Sequence, residues 1–359
     1  MKKLLSFIVA LGVVGASIFT PFTNVEAASI SKAESLVKIA EQHAGALKWQ
    51  ISYELTKEVK YPDMKVFNLT KDAYFQAKAE ISKVSVTEKL RLEKRLEENV
   101  GIHYKRAMGY IDAITSGKKI VDKTNQYKLI YSSNPTSDVT EASYHSLSSE
   151  IRKQAVLLYR VYGKSTRDAI LAQYKTPGET ALKSTQNVIT AKMHLDSLDK
   201  MITEKADQNT VETHVGEFFD LLDLIEDEEI IEVLYEGYDA SIRKDSSFLT
   251  QEQEIKTFLE KSDEYANAEN LESLLSLYSV EFPGYENLKT GIETTFKDFD
   301  VKYVTLDVNV RYIVHGTALV THVQQYNIDG EEELDYISNY ILQKDEAGNW
   351  KYFDVLGMD

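Results

Sequence analysis

Cysteine is absent from the 359 residues. No disulfide can support the fold, and no thiol can act as nucleophile or metal ligand. Proline is scarce, with five residues, and tryptophan scarcer, with two. Long stretches therefore run without the residue that most strongly interrupts a helix. Beyond Phe19 no apolar run approaches the ~20 residues of a membrane-spanning helix. There is no Gly-x-Ser-x-Gly elbow. The seven histidines show neither His-Glu-x-x-His nor any paired ligand spacing, so neither a local zinc motif nor a cofactor is expected. Gly163-Lys164-Ser165 is not a phosphate-binding loop: Leu158 stands where that motif needs glycine, and a helix where it needs a strand. The acidic run from Asp220 to Glu232 lacks the alternating acids and sixth-position glycine of an EF-hand. Its Leu221, Leu222, Leu224, Ile225 and Ile230 read as the core stripe of a helix with a solvated acidic face. A paired-carboxylate hydrolase needs no local motif, but nothing points to one.

What is present begins with Lys2 and Lys3, an apolar run from Leu4 to Phe19, and Val25-Glu26-Ala27. These are the parts of a secretory signal peptide over residues 1–27, with a mature start at Ala28. An uncleaved membrane anchor is the alternative, for which the run is short. The chain is expected to be secreted to the cell surface of a Gram-positive bacterium, with no transmembrane segment after cleavage. The net charge of −16 is unevenly spread. Residues 28–200 carry 28 Lys and Arg against 20 Asp and Glu, whereas 201–359 carry 11 against 36. A basic region concentrates anions near its surface and an acidic one repels them. The plainer alternative is that both are ordinary solvated faces.

Helical periodicity covers roughly 31–58, 68–84, 86–130, 138–174, 177–206 and 209–242. Ser31-x-x-Glu34 reads as an opening capping box, and breaks are expected at Tyr61-Pro62, Ser132-Ser133-Asn134-Pro135 and Pro177-Gly178. Within 138–174, Leu147, Ile151, Ala155, Leu158 and Tyr162 step by four or three, as in a coiled-coil seam. Near Ser246 the character changes. Thr250-x-x-Gln253 opens a helix to about Tyr278, and a second helix follows over 285–299. The period then becomes two: Val304, Leu306, Val308, Val310, Tyr312 and Val314 point one way. Turns at His315-Gly316, Asp329-Gly330 and Gly348-Asn349 separate four strands, at about 304–314, 317–327, 334–344 and 350–356. The expected architecture is multi-domain: elongated all-α bundles over 28–250, then a small α+β domain over 251–359.

Lys153, Arg160 and Arg167 recur every seven residues. On a continuous helix they would share one face, with Arg152 and Lys164 flanking it and Tyr159, Tyr162 and Tyr174 nearby. Arginine forks pair with carboxylate or phosphate, and aromatic rings offer faces to a sugar ring. The combination suits an anionic carbohydrate. Core tyrosines and merely solvated charges would give the same pattern.

Tyr144-His145, Glu150-Ile151, Arg160-Val161-Tyr162-Gly163-Lys164 and Thr166-Arg167-Asp168, with Tyr110-Ile111-Asp112-Ala113 upstream and Pro62 after the first helix, resemble the N-terminal region of SbsC-type bacterial S-layer proteins over about 31–200. That resemblance implies a pair of helical bundles that bind an anionic secondary cell wall polymer through basic and tyrosine side chains. Carried over by position, Arg160, Tyr162, Lys164 and Arg167 become the foremost contacts, followed by Arg152, Lys153 and Tyr159. Such proteins continue into Ig-like lattice domains, which this chain replaces with one small domain, so lattice formation does not carry over. Residues 252–359, with HGTALVTHV and the closing GNWKYFDV, resemble the NTF2-like cone. In that fold His322, Tyr336 and Asp354 would line a pocket. The expected function is a non-enzymatic cell-wall glycan-binding protein with an accessory C-terminal module. The alternative is a wall-localised NTF2-like protein that binds or processes a small molecule. Nucleic acid is not among the expected partners.

Overall fold

The computed structural model describes residues 20–329 and 333–358. Most of the signal peptide read from the sequence therefore lies outside the described residues. The chain is mostly helical, with a four-stranded antiparallel sheet at its C-terminal end. It divides into two compact units, Met1–Thr185 and Gln186–Asp359. No described helix is long and apolar enough to cross a membrane.

The first unit contains two cores. Helix α1 (Thr20–Gln50), α3 (Met64–Ile81) and the start of a long third helix enclose one of them. Ala33, Val37, Ala40 and Ala44 of α1 step by four, three and four, and they face Ala73, Ala77 and Ile81 of α3 and Leu92, Leu96 and Val100 beyond. Small side chains on this stripe let the helices approach closely. The short helix α2 (Tyr53–Thr56) lies between α1 and α3 in sequence, with Lys57 in the left-handed region at its end. The long helix runs as α4 (Val86–Leu96), a π-helical turn at Glu97–Gly101 and α5 (Ile102–Ser133). Its second half joins α6 (Asp138–Tyr159), α7 (Lys164–Ile170), a π-helical turn at Leu171–Lys175 and α8 (Thr176–Thr203). Tyr110, Ile114, Ile120, Tyr127, Leu147, Ile151, Leu158, Ile170 and Tyr174 form this second core.

Several helical expectations need correction. Ser31 lies inside α1 and caps nothing; α11 (Ser246–Asn267) starts four residues before Thr250, on Asp245, whose carboxylate accepts from Ser247 N at 2.9 Å. Residues 138–174 are two helices, because Gly163 adopts φ 86° and ψ 127°, a conformation that costs any other residue heavily. Pro177-Gly178 does not end a helix. The π-helical turn just before it widens the backbone where the proline has no N–H to give. Gly178 is instead a contact point: a Cβ there would lie 2.9 Å from Thr124 Oγ1 and 3.0 Å from Ile151 Cδ1. The acidic run is interrupted as well. Helix α9 (Gln208–Leu222) stops, Leu224 is exposed, and Asp227 caps α10 (Glu228–Ile242) by accepting from Ile230 N at 3.2 Å.

In the second unit α11, α12 (Leu271–Leu275) and α13 (Tyr285–Asp298) precede strands β1 (Val301–Val314), β2 (Thr317–Ile328), β3 (Glu333–Lys344) and β4 (Trp350–Met358), which pair in sequence order. The alternation expected in β1 fails at both ends. Irregularities between Thr305 and Asp307 and between Val310 and Tyr312 each add a residue and switch the face. Val304 and Leu306 are therefore exposed, while Val308, Val310 and Ile313 are buried. Tyr352 of β4 is packed between Phe258 of α11, at 5.0 Å between ring centroids, and Tyr278, at 4.6 Å.

Glycines test this packing directly. A Cβ on Gly117 would overlap the Tyr174 ring, whereas one on the exposed Gly45 of α1 meets nothing within 4 Å. Gly117→Ala should lower the unfolding free energy by about 1–3 kcal/mol through overpacking, and Gly45→Ala should raise it by up to ~1 kcal/mol through helix propensity. Urea unfolding of the two variants checks the opposite signs.

Candidate functional site: a basic and aromatic surface around Arg106 and Tyr162

The turn after α6 decides where the sequence-predicted residues go. Val161 is buried in the second core, while Tyr162 beside it is 62% exposed. Tyr162 is therefore not a seam residue; the core position belongs to Val161. Its ring lies under the guanidinium of Arg106 from α5, with Cζ 3.2 Å from the ring centroid. Such a contact contributes ~0.5–2 kcal/mol and leaves the edge of the guanidinium free to donate.

Arg106 and Tyr162 line two adjoining hollows. One, of about 300 Å³, is also lined by Lys48, Ser52, His103, Tyr110, Gly163 and Thr166. The other, of about 510 Å³, is also lined by Lys105, Arg160, Glu97 and Glu98. Within the second, Glu97 is held by Lys105 and by Tyr74 Oη at 3.0 Å, so its charge is already matched. In the first, Glu54 accepts from Ser165 Oγ at 2.7 Å, and Thr166 Oγ1 accepts from Tyr53 N at 3.1 Å. These two bonds fasten α2 to the start of α7.

The sequence-predicted contacts separate into groups. Arg160 and Tyr162 meet at the second hollow. Arg152, Lys153 and Tyr159 are exposed on α6, and Lys175 sits 5.7 Å from the Tyr159 ring centroid. Lys164 and Arg167 lie beyond Gly163 on α7 and line neither hollow. The single helical face expected for Lys153, Arg160 and Arg167 does not exist, because the helix ends at Tyr159 and the next begins at Lys164. Lys164 is spent on Asp168 at 2.6 Å. Among the described residues, the side chains of Arg106, Arg152, Lys153, Arg160 and Arg167 have no carboxylate partner.

Sequence reasoning missed Lys48, His103 and Arg106. Arg106 lies one helical turn before Tyr110, the first residue of the upstream block that carried the family resemblance, and that spacing could have flagged it. His103 is half-buried, and its Nδ1 is shielded from solvent with no hydrogen-bond partner. Burial holds its pKa below the ordinary histidine value, and the charges of Lys48 and Arg106 push the same way.

The C-terminal candidates are placed differently. His322 is 1% exposed. Thr305 Oγ1 donates to Asp263 Oδ2 at 2.7 Å, so it must accept the proton of His322 Nε2 at 2.8 Å. Burial lowers the His322 pKa, while Asp263 opposes the shift. Tyr336 pairs with Gln324 and so shares the face of His322. Asp354 pairs with Ile341, on the opposite face from Tyr340 and Leu342. The register thus groups His322 with Tyr336 and not with Asp354.

Residues 48–179 match the family of the SbsC C-terminal domain. The resemblance read from the residues is thereby shown for this stretch. Residues 257–357 match a second family, the C-terminal domain of the anti-sigma-I factor RsgI9. None of the curated proteins matches the chain. Among solved structures, the chain is similar to the crystal structure of the S-layer protein rSbsC(31-844), at 15% identity and a TM-score of 0.42, covering 90% of this chain and 45% of that one. It is also similar to the crystal structure of the N-terminal part of the S-layer protein SbsC, at 15% identity and a TM-score of 0.41, covering 91% of this chain and 77% of that one. The chain thus spans less than half the length of the first of these.

His103 gives the site a pH signature. Its folded-state pKa is depressed below the ordinary 6.5. Above that value both states are neutral and nothing is lost. As pH falls below it the unfolded chain takes up a proton that the folded chain refuses, so stability drops. His103→Gln should flatten the fall in melting temperature between about pH 7 and pH 5 relative to the parent; an unchanged slope would contradict the placement of His103 beside two cations.

Proposed function

We propose that this chain is a non-enzymatic, secreted protein of the bacterial cell surface. It attaches non-covalently to an anionic secondary cell wall polymer, a negatively charged glycan, through the surface around Arg106, Tyr162 and Arg160. The observation that carries this reading is the pair of arginines, one from α5 and one at the end of α6, flanking one exposed tyrosine, with no carboxylate among the described residues claiming either. A guanidinium held over a ring is oriented before any ligand arrives, so less conformational entropy is lost on binding. An acidic sugar would present its carboxylate or phosphate to the forks and its ring to Tyr162. Arg152, Lys153 and Arg167 extend the positive field along the same stretch of chain and set the on-rate more than the affinity, with Tyr159 and Lys164 beside them as lesser contacts.

Residues 251–359 are proposed as an NTF2-like accessory module that is presented at the wall. The family match over 257–357, to the C-terminal domain of a protein otherwise described as an anti-sigma factor, supports a module that recurs in different settings. The second reading makes this module the working part, binding or processing a small molecule. The chain from His322 through Thr305 to Asp263 is what favours it. Against it, His322 is buried and its Nε2 proton is committed to Thr305.

The reading is tested with the full chain and purified cell wall. Arg106→Ala and Arg160→Ala should each weaken wall binding by about 1–3 kcal/mol, the worth of a charge-assisted hydrogen bond. The matching lysine variants should recover only part of the loss, and rising salt should weaken the parent. Lys344→Ala, in the sheet, should bind as the parent does. Normal wall binding by both arginine variants, or losses that merely track early melting, would remove the site.

A further inference from the structure

Within the second unit, the latter part of α8 and helix α9 bring together three side chains from two stretches of the sequence. His194 comes from α8, and His214 and Glu217 come from α9, where an i, i+3 spacing puts them on one face. One ligand atom from each lies within 4.8 Å of the other two. Glu217 Oε2 is 4.0 Å from His194 Nδ1 and 3.9 Å from His214 Nδ1. A carbonyl oxygen can only accept. The 2.8 Å contact between His214 Nε2 and the His194 carbonyl therefore fixes the proton on Nε2 and leaves the Nδ1 lone pair facing the cluster. This is the backbone support that metal-bound imidazoles commonly have. His194 Nδ1 is shielded from solvent and has no hydrogen-bond partner.

From this arrangement we propose that His194 Nδ1, His214 Nδ1 and Glu217 form a binding site for a borderline divalent metal ion, with Zn²⁺ the best match. Two imidazoles and one carboxylate are a common zinc donor set, and hard cations such as Mg²⁺ or Ca²⁺ prefer all-oxygen sites. The exposed side of Glu217 leaves a fourth position for water. The rings are stacked at 4.4 Å between centroids and 15° between planes. A tetrahedral ion with bonds of about 2.0–2.1 Å needs donor atoms roughly 3.4 Å apart. Binding therefore draws the three atoms inward and tilts the rings out of their stack, so that each lone pair meets the ion in its own plane. The ion would clip α8 to α9 across the short connection at residues 204–207.

The test is a titration of the untagged, chelator-stripped full chain with Zn²⁺ by calorimetry, with Mg²⁺ as the comparison. One Zn²⁺ per chain should bind and raise the melting temperature. His194→Gln and His214→Gln should each weaken binding by about tenfold or more. Glu217→Gln, at an exposed position, keeps the test valid if a histidine variant fails to fold. His145→Gln and His315→Gln should bind as the parent does. Absence of saturable Zn²⁺ binding, or binding that the His214→Gln and Glu217→Gln variants leave unchanged, would overturn the proposal. So would equal affinity for Mg²⁺, which would mark a carboxylate site elsewhere.

Discussion

The backbone at Gly163 is the constraint on which the first unit's surface depends. At φ 86° and ψ 127° the chain leaves one helix and enters another within four residues. A Cβ there would meet only Thr166 Oγ1, at 3.8 Å. The requirement for glycine is thus conformational and not one of space. The turn buries Val161 and drives Tyr162 outward onto Arg106. Had the helix continued, Tyr162 would have entered the seam that its spacing suggests, and Arg106 would have faced solvent alone. A single positive φ converts a core tyrosine into a surface platform.

Charge placement then decides what that platform can hold. Elsewhere in the same unit, several basic residues are matched. Arg91 bridges Glu34 and Glu88, and Arg95 grips Glu41 with two nitrogens, at 2.8 and 2.7 Å. These pairs lie on the first core, where they tie α1 to α4. Exposed pairs of this kind add little stability individually, but they neutralise the field. Around the second core, over residues 102–185, the sequence carries fewer carboxylates than basic side chains, and among the described residues Arg106, Arg152, Lys153, Arg160 and Arg167 have no carboxylate partner.

Much of the architecture is legible in the sequence because period and turn chemistry are local. The change from helical to two-residue period, the four strands and their order, and the long helix from residue 86 all follow from it. What local reasoning misreads has identifiable causes. Bulges in β1 switch the inward face twice, which no alternation rule anticipates. Pro177 is absorbed by a π-helical turn. The heptad of Lys153, Arg160 and Arg167 is real in the sequence but crosses Gly163, whose backbone need outweighs the pattern. The site itself is half legible. Arg160 and Tyr162 carry a family resemblance that the match over residues 48–179 bears out. Arg106, Lys48 and His103 reach the same hollows from other helices, and only tertiary packing shows it. The same is true of His194 and His214, twenty residues apart and without a motif.

The central claim is that Arg106 and Tyr162 act as one unit toward an anionic glycan. A double-mutant cycle measures that directly: the affinity of the parent, Arg106→Gln, Tyr162→Leu and the double variant for purified wall polymer at fixed salt, with melting temperatures as the check on folding. The account predicts that the two losses are not additive, with a coupling of about 0.5–2 kcal/mol from a guanidinium oriented by the ring. Additive losses, or none, in variants that fold normally would contradict it.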